Sequence, residues 1–245
     1  MRREITGWYS PNLNKNMEIA VYGHYGPAVL MFPSAAADFL EYERFYVLKG
    51  LEPYIRAGKF KVFSINSINR EAWLNNHMPG HLKALRHQQY NRYIEDEVVP
   101  FIHDHCHGLV PILTTGVSLG ALLSANAFFR RPDIFTGVLA LSGSYDLKDY
   151  TKGFYNENVY FNSPTDYIAN LRDGLSLQLL RQKKHIYIVT GQGDYERPER
   201  SKEFSALLTH KGIPHHLDLW GYDMPHDWPT WRSMFPYFLG QYINF

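Results

Sequence analysis

Apolar and polar residues alternate through the first thirty positions. The alternation predicts strands over 3–9, 17–22 and 28–32, divided by turn residues. The period changes over 41–57, where Phe45, Leu48, Leu51 and Ile55 share one helical face. A short apolar strand follows at 60–65, then a long helical pattern over 81–105 that Pro100 interrupts. The run 109–115 reads as a buried strand, 121–129 as a helix and 137–144 as another apolar strand. Periodicity is then lost over 146–182, which carries Tyr150, Phe154, Tyr155, Tyr160 and Phe161 and is punctuated by Pro164 and Gly174. A long irregular segment inside a compact domain is usually functional. Strand 185–190, helix 198–210, strand 215–220 and a helix over about 228–243 complete the pattern. Strands alternate with helices from about Phe60 onward. That order predicts an α/β fold with a mostly parallel central sheet flanked by helices and antiparallel strands at its N-terminal edge. Repeats, low-complexity tracts and linkers are absent, so a single α/β domain over 1–245 is expected, with an aromatic-rich insertion at about 146–182.

Composition narrows the class. Hydrophobic residues make up 45% of the chain, enough for a sizeable core. The net charge of +1 gives no strong pull toward nucleic acid or an anionic membrane, and neither is expected as a partner. Cys106 is the single cysteine, so no disulfide can form within the chain, which fits a reducing compartment. The start, Met1-Arg2-Arg3-Glu4-Ile5-Thr6, has no apolar signal region, and no apolar run is long enough to span a bilayer. A cytoplasmic protein is therefore expected. Aromatics reach 16%, which points to a large core, an aromatic-lined pocket or both, and leaves room for a homo-oligomer.

The chemistry concentrates at Gly116-Val117-Ser118-Leu119-Gly120, between a predicted strand and a predicted helix. A serine on so sharp a turn is held exposed above the sheet edge, and the flanking glycines let strand and helix pass close together. A serine hydroxyl needs an adjacent base, and the base needs a carboxylate. Asp194, in Gly191-Gln192-Gly193-Asp194, and His226 each follow a predicted strand, in the order Ser, Asp, His. Both therefore stand at the same sheet edge as Ser118, where sites in open parallel sheets gather. Competing carboxylates are Glu196, two residues on, and Asp223 and Asp227, which flank the histidine. Asp227 suits the N-cap of the next helix better. An oxyanion hole needs two N–H donors: Leu119 is one, and the loop after 28–32 supplies the other. Pro33 has no N–H, so Ala35 is preferred, with Ser34 the alternative.

These residues resemble a known group. Gly-Val-Ser-Leu-Gly, Gly-Gln-Gly-Asp and the ending His226-Asp227-Trp228-Pro229-Thr230-Trp231-Arg232 are similar to the putative-esterase group of the α/β-hydrolase superfamily. Esterase D-like and feruloyl-esterase-like enzymes and the mycolyltransferases belong to that group. The likeness runs from about Ala28 to the C-terminus. It implies an α/β-hydrolase fold, a Ser118–His226–Asp194 triad, and hydrolysis of a small-molecule carboxylic ester through an acyl-enzyme, with no cofactor. The oxyanion loop departs from the Gly-rich or His-Gly form of lipases. Trp73, after strand 60–65, is a candidate wall for the substrate pocket. Tyr160 is another, within the stretch 156–164 that resembles one in the same esterases.

Rival readings are weighed on the same residues. His103 and His107 share a helix face, with Cys106 beside them, but no second ligand cluster follows. A polar helix end stopped by Gly108 explains the run, and no metal is expected. The predicted triad serves acyl transfer to an acceptor other than water equally well. A non-catalytic binding module on the same scaffold is the third reading, against which the complete Ser, Asp and His set speaks.

Overall fold

The alternating N-terminal segment forms an antiparallel hairpin of β1 (Arg3–Ser10) and β2 (Lys15–Tyr22). The computed structural model describes residues 1–242. Beyond the hairpin come β3 (Ala28–Phe32), α1 (Glu41–Arg44), α2 (Val47–Arg56) and β4 (Lys61–Ile65). Next are α3 (Gly80–Tyr93), a π-helical turn (Ile94–Val98), α4 (Val99–His105), β5 (Ile112–Val117), α5 (Leu119–Arg130) and β6 (Gly137–Leu141). Four short helices follow: α6 (Lys148–Thr151), α7 (Glu157–Tyr160), α8 (Pro164–Ala169) and α9 (Leu175–Arg181). The chain then runs through β7 (His185–Thr190), α10 (Pro198–His210), β8 (His216–Leu219), α11 (Trp228–Phe235) and a π-helical segment (Pro236–Tyr242).

The strands make one sheet in the order β1-β2-β4-β3-β5-β6-β7-β8. Pairing is antiparallel at β1/β2 and β2/β4 and parallel from β4 to β8. This is the α/β-hydrolase arrangement that the alternation and the resemblance led us to expect. Both faces of the central strands are covered, which is why those strands read as continuous apolar runs. Along β3, Ala28, Leu30 and Phe32 pack with Tyr90, Ile102, Phe128 and Phe204 on one face. Val29 and Met31 pack with Leu48, Ile55, Met234 and Phe235 on the other. The period of two thus feeds two separate cores.

Several boundaries differ from the expectation, each for a local reason. The helix expected over 41–57 is two helices, because Tyr46 between them takes φ 62° while Phe45 stacks flat on Trp228 at 4.2 Å. Pro100 does not break the 81–105 rod. A proline crowds the carbonyl four residues back, and the wider π-helical turn ahead of it relieves the crowding. Strand β5 starts later than 109 and runs on to Val117, since Leu109 is 89% exposed and Pro111 has no N–H for a ladder. The irregular segment expected over 146–182 is helical in short pieces. Asn156 caps α7 by accepting from the Val159 N–H, Pro164 opens α8 and Gly174 precedes α9. Helices this short show no period to read. The last helix was expected to reach Ile243, which lies outside the described residues. No described helix is long and apolar enough to cross a membrane.

Candidate active site

Strand β5 delivers the chain to Ser118, and α5 begins on the next residue. Ser118 has φ 55° and ψ −120°, a strained turn that few non-glycine residues adopt. The turn closes only because its flanks are bare. A Cβ on Gly116 would fall on the Gly120 carbonyl, and one on Gly120 would fall on Phe32 O and lie 2.7 Å from Pro33 O. The Ser118 N–H donates to Leu141 O at 3.0 Å, which ties the elbow to β6.

His226 Nε2 lies 2.9 Å from Ser118 Oγ. On the other side of the ring, Nδ1 lies 3.2 Å from Glu196 Oε2. Glu196, not Asp194, is therefore the carboxylate on the histidine, and the expected pairing is corrected. The reason is a turn in which the Glu196 N–H donates to Gly193 O. Asp194 and Tyr195 occupy its corners, Tyr195 at φ 64°, and both are exposed. Glu196 is the closing residue, and its side chain returns inward with 1% exposure. Asp194 still serves the site through its main chain, whose carbonyl accepts the His226 N–H at 2.9 Å. Asp227 is the N-cap of α11, as expected, accepting from the Trp228 N–H.

The Glu196 carboxylate sits in a dense set of donors. Ser142 Oγ donates to Oε1, Thr190 Oγ1 to Oε2 at 3.0 Å, and the Gly191 N–H to Oε1 at 3.3 Å. Burial pushes its pKa up, but the hydrogen bonds from His226, Ser142 and Thr190 and the pull of the His226 charge outweigh burial. The group is held below the ordinary carboxylate value. Trp231 supports the same cluster twice. Its Nε1–H donates to Ser142 Oγ at 3.0 Å, and its ring meets His226 edge to face at 5.0 Å.

The loop after β3 is also resolved into roles. Ser34 cannot be an oxyanion donor, because its N–H and Oγ both donate to Glu41, at 2.7 and 2.6 Å. The next three carbonyls are drawn to one side: Ala35 O by Asn69 Nδ2, Ala36 O by Arg70 Nε and Ala37 O by Ser67 Oγ. Among the described residues the Ala35 N–H has no partner. The Leu119 N–H is the first of α5, where helix donors have no partner within the helix.

A cavity of about 270 Å³ opens beside Ser118 and His226. Ser142, Tyr150, Tyr195, Arg197 and Arg200 line it, and Asp149 pairs with both arginines at 3.2 and 3.1 Å. Neither of the expected wall residues does. Trp73 is 2% exposed and packs with Leu119, Leu122 and Leu147 beneath the elbow. Tyr160 packs against the larger core, with its ring on Phe161. Of the aromatic-rich segment, Tyr150 reaches the cavity. The sequence reading missed Ser142 and Thr190. The Ser142-Gly143-Ser144 run just past β6 was the available signal, since it ends at the same edge as the elbow. In the His103–His107 run, His103 Nδ1 accepts from the Val110 N–H, and the His105 ring faces Glu4.

The model of a family described as Putative esterase matches residues 10–242, which carries the likeness upstream of Ala28 to the end of β1. Solved structures superpose over nearly the whole chain. A ferulic acid esterase does so with a TM-score of 0.74 at 18% identity, over 95% of this chain and 94% of that one. An S-formylglutathione hydrolase from Agrobacterium tumefaciens gives 0.73 at 13% identity, over 98% and 94%. MPT51 of Mycobacterium tuberculosis gives 0.70 at 13% identity, over 99% and 98%. No curated protein matches the chain.

Proposed function

Because the chain belongs to the Putative esterase family and is a serine hydrolase of carboxylic esters, we propose that Ser118, His226 and Glu196 are its catalytic triad. The observation that carries the reading is the unbroken line from Ser118 Oγ to His226 Nε2, 2.9 Å, and from His226 Nδ1 to Glu196 Oε2, 3.2 Å. Glu196 accepts a hydrogen bond from the Nδ1–H, which keeps the proton on Nδ1 and leaves the Nε2 lone pair facing the serine. Ser118 Oγ attacks the ester carbonyl and His226 Nε2 takes its proton. The oxyanion is held by the Leu119 and Ala35 N–H groups. His226 passes the proton to the leaving alkoxide, and the alcohol departs from the acyl-enzyme. Water then attacks, His226 again taking and returning a proton, and the acid is released.

The cavity beside Ser118 favours a small substrate with polar groups near the ester, since its wall is mainly serine, tyrosine and arginine. Short-chain p-nitrophenyl esters and a fluorophosphonate probe test the mechanism. The wild type is expected to turn over p-nitrophenyl acetate and to be labelled on Ser118. Ser118→Ala is expected to lose both while unfolding at the same temperature, and retained turnover would overturn the assignment.

A further inference from the structure

The sheet has a second edge, where β3, β4 and β5 begin rather than end. Six residues of β5 separate that edge from Ser118, about 20 Å of extended chain. Lys61 is the first residue of β4 and is 4% exposed. Its Nζ donates to His105 O at 3.0 Å and stands 5.7 Å from the Phe63 ring centroid. An ammonium has three protons to donate, and among the described residues no carboxylate lies within ion-pair distance of this one. Burying a cation without a counter-ion is costly. Burial, with a smaller contribution from the Arg2 charge, accordingly holds the Lys61 pKa below the ordinary lysine value, while Cys106 and the more distant Glu4 carboxylate act against it without outweighing burial.

Lys61 borders a cavity of about 630 Å³, larger than the one at Ser118. Arg2, Glu4, Tyr25, His105 and Cys106 are also on its wall. The charges there do not balance. Glu4 Oε2 is taken by Arg2 at 3.3 Å and faces His105 Nε2 at 3.4 Å, so the Arg2 charge is matched and the Lys61 charge is not. His105 Nδ1, on the residue whose carbonyl takes Lys61, is buried and has no hydrogen-bond partner among the described residues. Tyr25, 72% exposed, and the neighbouring Pro27 and Pro111 add a ring-sized apolar rim.

We propose that this cavity binds a small carboxylate monoanion, its oxygens on Lys61 Nζ and its apolar body against Tyr25. One unmatched positive charge selects a single negative charge, and the rim selects an organic anion over an inorganic one. The proposal is independent of the chemistry at Ser118.

Equilibrium dialysis with benzoate, and with benzamide as the neutral isostere, tests it. Benzoate is expected to bind saturably, one molecule per chain, and benzamide not to bind. Ser118→Ala is expected to bind benzoate as the wild type does, which locates the site away from the elbow. Lys61→Met is expected to bind about tenfold more weakly or worse. If Lys61→Met fails to fold, Tyr25→Ala takes its place and is expected to weaken binding. No saturable benzoate binding, equal binding of benzamide, loss of binding in Ser118→Ala, or unchanged binding in the cavity variant would overturn the proposal.

Discussion

A carboxylate reaches the His226 ring only if its side chain leaves the 193–196 turn on the inner side. Asp194 leaves it at a corner, and Glu196 leaves it at the close. Glu196→Gln keeps the shape and loses the charge that stabilises an imidazolium, so kcat on p-nitrophenyl acetate is expected to fall by as much as about 10⁴-fold. Asp194→Asn keeps the main-chain carbonyl that His226 uses, and kcat is expected to stay near the wild-type value. The reverse ranking of the two variants would return the acid role to Asp194. The turn at Ser118 and the Leu119 N–H at the head of α5 were legible in the sequence because a nucleophile elbow has fixed neighbours, and the placement of His226 beside Ser118 because it follows a strand that ends at the same sheet edge. The carboxylate on the His226 ring was not, because both candidates follow the same strand and only the turn geometry separates them. Ser34 was misjudged for a comparable reason: nothing local in the sequence announces that Glu41 will take its N–H.

The elbow works as an element, not as a single serine. Strand β3, the turn and α5 meet where Gly120 passes Phe32 O. Gly120→Ala must push α5 off the sheet, and overpacking of this kind costs about 1–3 kcal/mol. Urea unfolding is expected to register that loss, together with a fall in esterase activity from the displaced Leu119 N–H. Helix α3 carries a different liability. His87 is buried with its ring 5.3 Å from Trp73, and burial, aided by the Arg130 charge, pulls its pKa down to about 3. The unfolded chain protonates this histidine near its ordinary 6.5, while the folded chain keeps it neutral. Below that value the unfolded state binds more protons, so stability falls as pH drops from about 6.5 toward 3. His87→Gln is expected to flatten the decline of Tm between pH 6.5 and 5, and an unchanged slope would show that His87 is not its source. Elements of this length and period were readable from the chain. The four helices of α6–α9 were not, because each spans only four to seven residues, too few to show a repeating apolar face, and their local supports are single residues such as the Asn156 cap of α7 and Pro164 at the head of α8.

At the scale of the whole molecule, one tie that does not involve Ser118 fixes the N-terminal hairpin. Glu97, in the π-helical turn, accepts from Trp8 Nε1 at 2.7 Å, Ser10 Oγ at 2.7 Å and Asn12 Nδ2 at 2.8 Å. It thus pins the N-terminal hairpin to the helical rod beside it. The Asn12 N–H also donates to Glu97, at 3.3 Å, so Glu97→Ala strands four donors at once and is expected to cost about 1.5–3 kcal/mol in urea unfolding, with kcat unchanged. A matching loss of kcat would mean that the hairpin reaches the reaction centre after all. The tie from Asp194 O to the His226 N–H has a consequence of its own for inheritance. A peptide carbonyl is supplied by any amino acid, and so are Leu141 O beneath Ser118 and Met224 O, which accepts the Gly193 N–H. Mutation cannot easily remove such anchors, so side chains around them are free to drift. In a chain built this way, side chains around the anchors can change while the loops that carry Ser118 and His226 keep their place.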